Sequence, residues 1–418
     1  MILEKKKSAR LQIIPISLFL FCSMSALSTV YSSPVKWVAC ICLLAVAAFM
    51  SKTIKWNLSL NTPDNIVFVA LICTIGLFVM IYPSTSELYS ATTLFLTIFV
   101  SFIYTKILPF SDFINIYIKT LRILCIWALL FYILCFWLKI SIPHISMING
   151  NGVRYQNWWI CVMMERNGGG ILNRIMSIFW EPGVFASFLL IGIVFECRMV
   201  DRKADISTII IFCTCLVLTF STAGYLLFAI CICILLFKTN SKIFKAILSV
   251  IFIVLASLLV VGYDEILSLL ARWNYNVFYK LVEESSSFST RFFAYEIEWD
   301  ILKSSNYIGA GLSGGSRMFA LLEDKYEYVI NARTSTSMMY ISSYGILGLV
   351  YTLAWIYGSF KLMPGTWIEK AMFVVLMLAI INKEPHNSCL ASTTILFYSL
   401  NCNSTTDEVI LNVHQEQE

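Results

Sequence analysis

The sequence predicts an all-α polytopic integral membrane protein of about 12 transmembrane helices with two long periplasmic segments. Three observations carry that prediction. Of 418 residues, 59% are hydrophobic and 13% charged, with a mean hydropathy of +0.78. Roughly a quarter of the residues of an ordinary globular chain are charged, and here the missing charge is missing in blocks of about 20 apolar residues, the length that crosses a bilayer as a helix. Segments such as Val250 to Val261 are apolar nearly throughout, unlike the short alternating strands of an outer-membrane barrel, so helices remain as the structure that satisfies a backbone in lipid. The 15% aromatic content suits helices facing lipid with rings at the interfaces. A soluble enzyme, a nucleic-acid module and a disordered chain are excluded.

Taken in order, Lys5, Lys6, Lys7 and Arg10 precede an apolar stretch and Ala26-Leu27-Ser28, an imitation of a secretory signal. Because more spans follow at once, this reads as an uncleaved first helix. Spans are predicted near 11–31, 35–51, 65–82, 88–105, 120–139, 175–197, 206–220, 222–237, 243–262, 336–359, 371–383 and 387–402. With a cytoplasmic N-terminus, the inner loops carry 17 of the 30 Lys and Arg residues, among them Lys106, Arg122, Arg198, Arg202, Lys361 and Lys370. The short outer loops keep only Lys36 and Lys383, the asymmetry of the positive-inside rule. The chain thus reads as a single membrane domain over 1–418. It has a first periplasmic segment at 140–174, a larger one at 263–335 with a short amphipathic helix, and a polar cytoplasmic tail at 403–418. Both termini are expected in the cytoplasm. No repeat of the first spans in the last is visible, which counts against a secondary transporter. The 14 Cys lie mostly inside apolar runs. Pairs such as Cys213/Cys215 point about 200° apart on a helix, so neither a disulfide framework nor a zinc site is expected.

Four stretches carry groups capable of chemistry. Phe179-Trp180-Glu181-Pro182-Gly183 sets a carboxylate early in an apolar run, which by default marks a site, beside a proline that removes a helix hydrogen bond. The structural alternative is that Glu181 pairs with an arginine such as Arg174 and fixes helix packing. Ser289-Thr290-Arg291 opens an amphipathic helix running to Leu302, with Phe292, Phe293, Ile297 and Ile301 apolar and Glu296, Glu298 and Asp300 polar. Capping by Ser289 or Thr290 would put Arg291 at the helix N-terminus, where an anion is favoured and a guanidinium can bond phosphate oxygens bidentately. Gly309-Ala310-Gly311-Leu312-Ser313-Gly314-Gly315 matches G-x-G-x-x-G as a string. No strand precedes it, so it reads as a turn, at most offering N–H groups to phosphate. Asn382-Lys383-Glu384-Pro385-His386-Asn387 lies between the last two spans, where Glu384 and His386 are candidates for proton transfer or hydrogen bonding and a polar hairpin is the plain alternative. Arg154, Arg166 and Arg174 add cations to the first outer segment, and Arg317, Lys325 and Arg333 to the second, which invites an anionic substrate.

Arg174, Phe179-Trp180-Glu181-Pro182-Gly183-Val184-Phe185-Ala186, Thr219-Phe220-Ser221-Thr222-Ala223-Gly224-Tyr225, Ser289-Thr290-Arg291, Ile308-Gly309-Ala310-Gly311 and Tyr344-Gly345-Ile346-Leu347-Gly348 follow one another in an order that resembles the Wzy-type O-antigen polymerases, over about 175–350. One departure is Ser177, where the family's pattern leads one to expect glycine. The related O-antigen ligases share this architecture but carry a His followed by Asn, Ser or Gln and, nine residues further, a small residue ahead of a span. Aligning Gly345 to that small residue puts Thr334-Ser335 at the His pair, so the ligase histidine is absent and polymerase is favoured.

The resemblance implies an inner-membrane glycosyltransferase that joins undecaprenyl-diphosphate-linked repeat units at the periplasmic face, in lipopolysaccharide O-antigen synthesis, without a nucleotide sugar. Its partners would be lipid-linked glycans, membrane lipids and a polysaccharide chain-length regulator, with no nucleic acid. Because the leaving group is already activated, arginines can stabilise the departing diphosphate and a carboxylate or His can take the acceptor proton. Arg291 is assigned to the diphosphate with Arg174 as second cation, and Glu181 to base or acceptor positioning. Arg154, Arg333, Glu384 and His386 are further candidates for holding diphosphate or glycan. This chemistry requires no metal and no cofactor. The rivals are an O-antigen ligase acting on lipid A core and, from another class, a glycolipid flippase or other 12-span transporter.

Overall fold

The computed structural model describes residues 61–148, 154–158, 161–164, 174–200, 202–236, 287–326 and 333–401. The predicted spans near 11–31, 35–51 and 243–262 and the tail at 403–418 lie outside the described residues. The described chain is a helical membrane protein. Helix α1 is Pro63–Ile81, α2 Thr85–Ile107 and α3 Phe110–Tyr132, which a π turn at Ile133–Trp137 extends. Pro63 opens α1 with φ already fixed. Ser84 caps α2 by accepting from the Glu87 N–H at 3.1 Å. Among the described residues four helical stretches are long and apolar enough to cross a membrane: α1, α2, Phe110–Trp137 and Thr336–Leu362.

After α3 the structure departs from an all-α expectation. The first outer segment holds a four-stranded antiparallel meander of β1 Ile145–Ile148, β2 Arg154–Asn157, β3 Val162–Met164 and β4 Arg174–Ser177, in spatial order β1-β2-β3-β4. Strands of three or four residues are stabilised by pairing with each other, and by seating Met163, Ile175 and Met176 out of solvent. Because β4 occupies 174–177, the predicted span at 175–197 begins later, as α4 Pro182–Arg198. Ser177 stands in the left-handed region at φ +53°. That is the conformation glycine adopts without strain, and it accounts for the glycine expected there.

Helix α4 is buried along its whole length from Pro182 to Glu196, as a helix apolar on all sides must be. It packs against α3, β4, α5 Ile206–Leu218 and α6 Thr222–Leu236. The second outer segment gives α7 Ser287–Ser304 and α8 Leu312–Lys325. The long stretch after it is broken into α9 Thr336–Tyr344, a 3-10 turn Gly345–Gly348 and α10 Leu349–Leu362. Helices α11 Trp367–Lys383 and α12 Leu390–Asn401 complete the described chain. A reciprocal capping box between Thr366 and Glu369 starts α11.

Several of the cations predicted for the inner loops are held in ion pairs. Lys106 meets Asp64, Arg122 meets Asp205, Arg198 meets Glu369 and Arg202 meets Glu196, at 2.5 to 2.6 Å. These pairs join the α1 start to the α2 end and the α4 end to the α11 start, as alternating helices require.

Two details of α7 correct the sequence reading. The helix already starts at Ser287, so Arg291 lies in its second turn rather than at its first residue; the side chain of Arg291 lies outside the described residues. Glu298, expected on a solvated face, is fully buried. The face of Ala294, Ile297 and Ile301 packs on α8.

Candidate active site

The site is built on the start of α4. Glu181 is its N-cap residue, extended at φ −149° and ψ 142°, and its half-buried carboxylate does not cap the helix it opens. Pro182 follows in the first turn, where its missing N–H costs nothing. At Gly183 a Cβ would come within 2.8 Å of Glu384 Oε1. The absent side chain therefore lets the Glu384 carboxylate lie against the first turn of α4, where the helix dipole favours an anion. Lys383 Nζ donates to the Gly183 carbonyl at 2.8 Å, so two successive residues of one loop grip the same turn.

The loop after α11 is tied to the start of α9. Asn382 Oδ1 accepts from Ser335 Oγ at 3.1 Å and from the Ser337 N–H at 2.8 Å. Thr336 Oγ1 accepts from the His386 N–H at 2.7 Å while donating to the Glu384 carbonyl at 3.4 Å. His386 Nδ1 lies 2.7 Å from Ser392 Oγ, whereas Nε2 is buried with no described partner.

This loop is not the outer hairpin that its polar string suggests. Lys383, Glu384 and His386 are all buried. Ser101 Oγ donates to the Leu390 carbonyl at the start of α12, and Ser101 lies about 24 Å along α2 from its Thr85 end at 1.5 Å per residue. The loop therefore runs between the helices, well inside the length of α2. Sequence reasoning named Glu384 and His386 and missed Lys383. The available signal was a lysine ending an apolar run immediately before a carboxylate.

The structure separates the outer arginines. Arg174, half-buried at the start of β4, donates from Nε to the Thr219 carbonyl at 2.9 Å and points Nη1 at Met164 Sδ at 3.7 Å. It thereby binds the strand to the turn between α5 and α6. Arg154 is exposed on β2, with β3 between it and β4. Arg333 is not a free cation for a substrate, because its Nε and Nη2 bond both Glu298 oxygens at 2.7 Å and Nη2 reaches Ser342 Oγ at 2.7 Å. It braces α7 against α9.

The glycine string is also internal structure. The N–H groups of Leu312 and Ser313 at the start of α8 donate to Glu87 Oε1 and Oε2 at 2.8 and 2.6 Å, so the chain's own carboxylate occupies the anion position. Gly309 and Gly345, at φ +103° and +59°, let two backbone segments touch. A Cβ on Gly345 would stand 2.3 Å from the Ile308 carbonyl oxygen.

Residues 207–356 match the family model described as O-Antigen ligase. The matched stretch contains the Thr219–Tyr225, Ser289–Arg291, Ile308–Gly311 and Tyr344–Gly348 pieces, and it bears out the resemblance to the Wzy and O-antigen ligase group. No curated protein and no solved structure matches the chain. Together, the family match and the membrane-length helices support a membrane glycan-processing function.

Proposed function

We propose that the chain is an O-antigen polymerase, a glycosyltransferase that moves a growing glycan from undecaprenyl diphosphate to a sugar hydroxyl of a new lipid-linked repeat unit. The observation that carries the reading is the cluster of ionisable side chains at the start of α4. Glu181 opens the helix, Lys383 and Glu384 pack against its first turn, and His386 lies two residues further along the chain, buried like them; ionisable groups buried among membrane-length helices are expensive and mark function. The acceptor oxygen attacks the anomeric carbon, the anomeric C–O bond to the diphosphate breaks, and the diphosphate leaves with the bonding electrons. Glu181, the half-buried member of the set, receives the acceptor proton or holds the acceptor hydroxyl. Glu384 and His386 help to hold the glycan, Arg291 and Arg174 stabilise the leaving diphosphate, and Arg154, exposed on β2, is a further cation for the substrate. The active face is periplasmic, the membrane is the bacterial inner membrane, and a chain-length regulator is the protein partner.

The match to the family described as O-Antigen ligase favours a second reading, an O-antigen ligase that transfers finished glycan to lipid A core. Lipopolysaccharide gels separate the two. On deletion of the gene, loss of the ladder with one repeat unit still on core supports the polymerase, and absence of any repeat on core supports the ligase or a flippase. Complementation then tests the residues. Glu181→Gln keeps size but cannot take a proton, so it should be present in the membrane and give no ladder. Glu181→Asp keeps the charge but shortens the reach, and a misplacement of about 1 Å can cost about 100-fold. A wild-type ladder from Glu181→Gln ends the catalytic assignment of that residue.

A further inference from the structure

Helix α7 has a second face that stands exposed among the described residues. While Ala294, Ile297, Glu298 and Ile301 are buried, Trp299 is 45% exposed. The turn that follows is strained in a way that enlarges this face. Asn306 and Tyr307, neither of them glycine, take φ of +52° and +63°, the left-handed region, which crowds the Cβ of an L-residue. The result is that Tyr307 and Ile308 stand 57% and 60% exposed. The Trp299 and Tyr307 rings meet edge-on at 6.3 Å, and the Lys303 ammonium lies 5.7 Å from the Trp299 ring centre. Asp300, the carboxylate beside them, is already engaged by Tyr326 Oη at 2.7 Å and Lys303 at 3.6 Å.

The position of this edge along the bundle is fixed by hydrogen bonds. Tyr82, the residue that ends α1, donates its hydroxyl to the Gly309 carbonyl at 2.8 Å. The Ala310 and Gly311 N–H groups donate to the Ser342 and Ser343 carbonyls at 3.0 and 2.9 Å. Tyr307 and Ile308 therefore sit level with the end of a membrane-length helix. That end itself turns apolar side chains outward: Met80 on α1 is 73% exposed and Leu88 at the start of α2 is 56% exposed. The exposed edge and these side chains lie at the same end of α1, which the Tyr82–Gly309 hydrogen bond joins to the turn. Rings with one polar and one apolar end concentrate at the membrane–water boundary, and a lysine there can lay its stem along apolar surface while its ammonium reaches water or phosphate.

We propose that Trp299, Tyr307 and Ile308, with Lys303 at their rim, seat in the headgroup layer of the leaflet reached by the end of α1, so that a lipid surface is the partner of this edge. The helix that carries Arg291 is thereby tied to the membrane at its far end. The inference is independent of the catalytic reading. It is tested in the full chain, in its native membrane, by replacing Tyr307 with the photoreactive p-benzoylphenylalanine, illuminating, and identifying adducts by mass spectrometry. The same probe at Met80 serves as the lipid-facing reference and at the buried Phe319 as the interior reference. Phospholipid adducts at 307 as at 80, and lost at 319, are expected. Adducts only to peptides of this chain, or no lipid adduct at 307, overturn the proposal.

Discussion

Arg333→Met tests whether this guanidinium braces the fold or serves a substrate. In the structure the Glu298 carboxylate has no exposure and accepts from Arg333 Nε and Nη2 at 2.7 Å, with Ser342 Oγ as its further donor. Removing the arginine leaves a buried carboxylate whose charge one hydroxyl cannot compensate. Breaking a buried ion pair from one side typically costs about 3–5 kcal/mol. At about 2 °C of melting temperature per kcal/mol for a domain of a few hundred residues, that is a fall of about 6–10 °C. The double variant Arg333→Met/Glu298→Met removes the stranded charge and fills similar volume, and apolar replacement of a buried pair is often neutral, so it should recover most of the loss. Thermal unfolding of detergent-purified protein, followed by intrinsic fluorescence at one fixed scan rate because such unfolding is commonly irreversible, reads all three chains. A single variant that melts like the wild type and yet gives no polymer would refute the brace and return Arg333 to the substrate.

Three further outcomes follow from backbone geometry and helix capping. Ser177→Gly relieves the left-handed strain at φ +53° and should match the wild type in melting temperature within the ~1 kcal/mol that glycine's unfolded-state freedom offsets, whereas the β-branched Ser177→Val should melt clearly lower; the reverse order would contradict the strain argument. Gly345→Ala drives a Cβ to 2.3 Å from a carbonyl oxygen and should abolish recovery of monodisperse protein, while Gly76→Ala in α1, with nothing within 4 Å, should not. Glu87→Ala strips two charge-assisted bonds from the start of α8, each worth about 1.5–3 kcal/mol. The expected readout is faster proteolysis of the 305–325 segment, and unchanged cleavage kinetics would refute the capping role.

The described helices were legible because a hydrophobic run of membrane length has few alternatives; the predicted starts at 65 and 88 fall within three residues of Pro63 and Thr85, whereas α3 starts at Phe110, ten residues before the predicted 120, because its first turns carry polar residues. The meander was not. Ile145–Ile148 and Val162–Met164 are too short for alternation to register, and they exist as strands through pairing with residues as far along the chain as Ser177 is from Val162. At the site, Glu181 announced itself as a carboxylate before proline in an apolar run. The burial of Lys383, Glu384 and His386 was invisible, because a polar string between two apolar runs reads as a surface hairpin whether the loop lies outside the bundle or within it. Arg333 and Glu87 were misread or passed over for a related reason. Their partners, Glu298 and the Leu312 and Ser313 amides, stand 35 and about 225 residues away.

The motif pieces that carried the resemblance meet in space as junctions. Ile308–Gly311 crosses Ser342–Gly345 backbone to backbone. Arg174 bonds the Thr219 carbonyl, and Gly224 approaches Ala186 so closely that its Cβ would stand 3.0 Å away. Each junction needs small residues or a long donor at a fixed place, which is why short strings of Gly, Ser and Arg mark them, and why a string such as Gly309–Gly315 imitates a phosphate loop while doing the work of packing. The matched segment 207–356 contains one crossing whole and supplies one side of the other contacts, together with Arg291. Glu181, Lys383, Glu384 and His386 come from outside it. On the polymerase reading, the matched segment is then the frame and the diphosphate end of the site, while the groups that meet the acceptor sugar come from the start of α4 and the loop after α11. Two chains matching this family model over the same segment can therefore differ in acceptor, lipid-linked repeat or lipid A core, through residues that the match does not include.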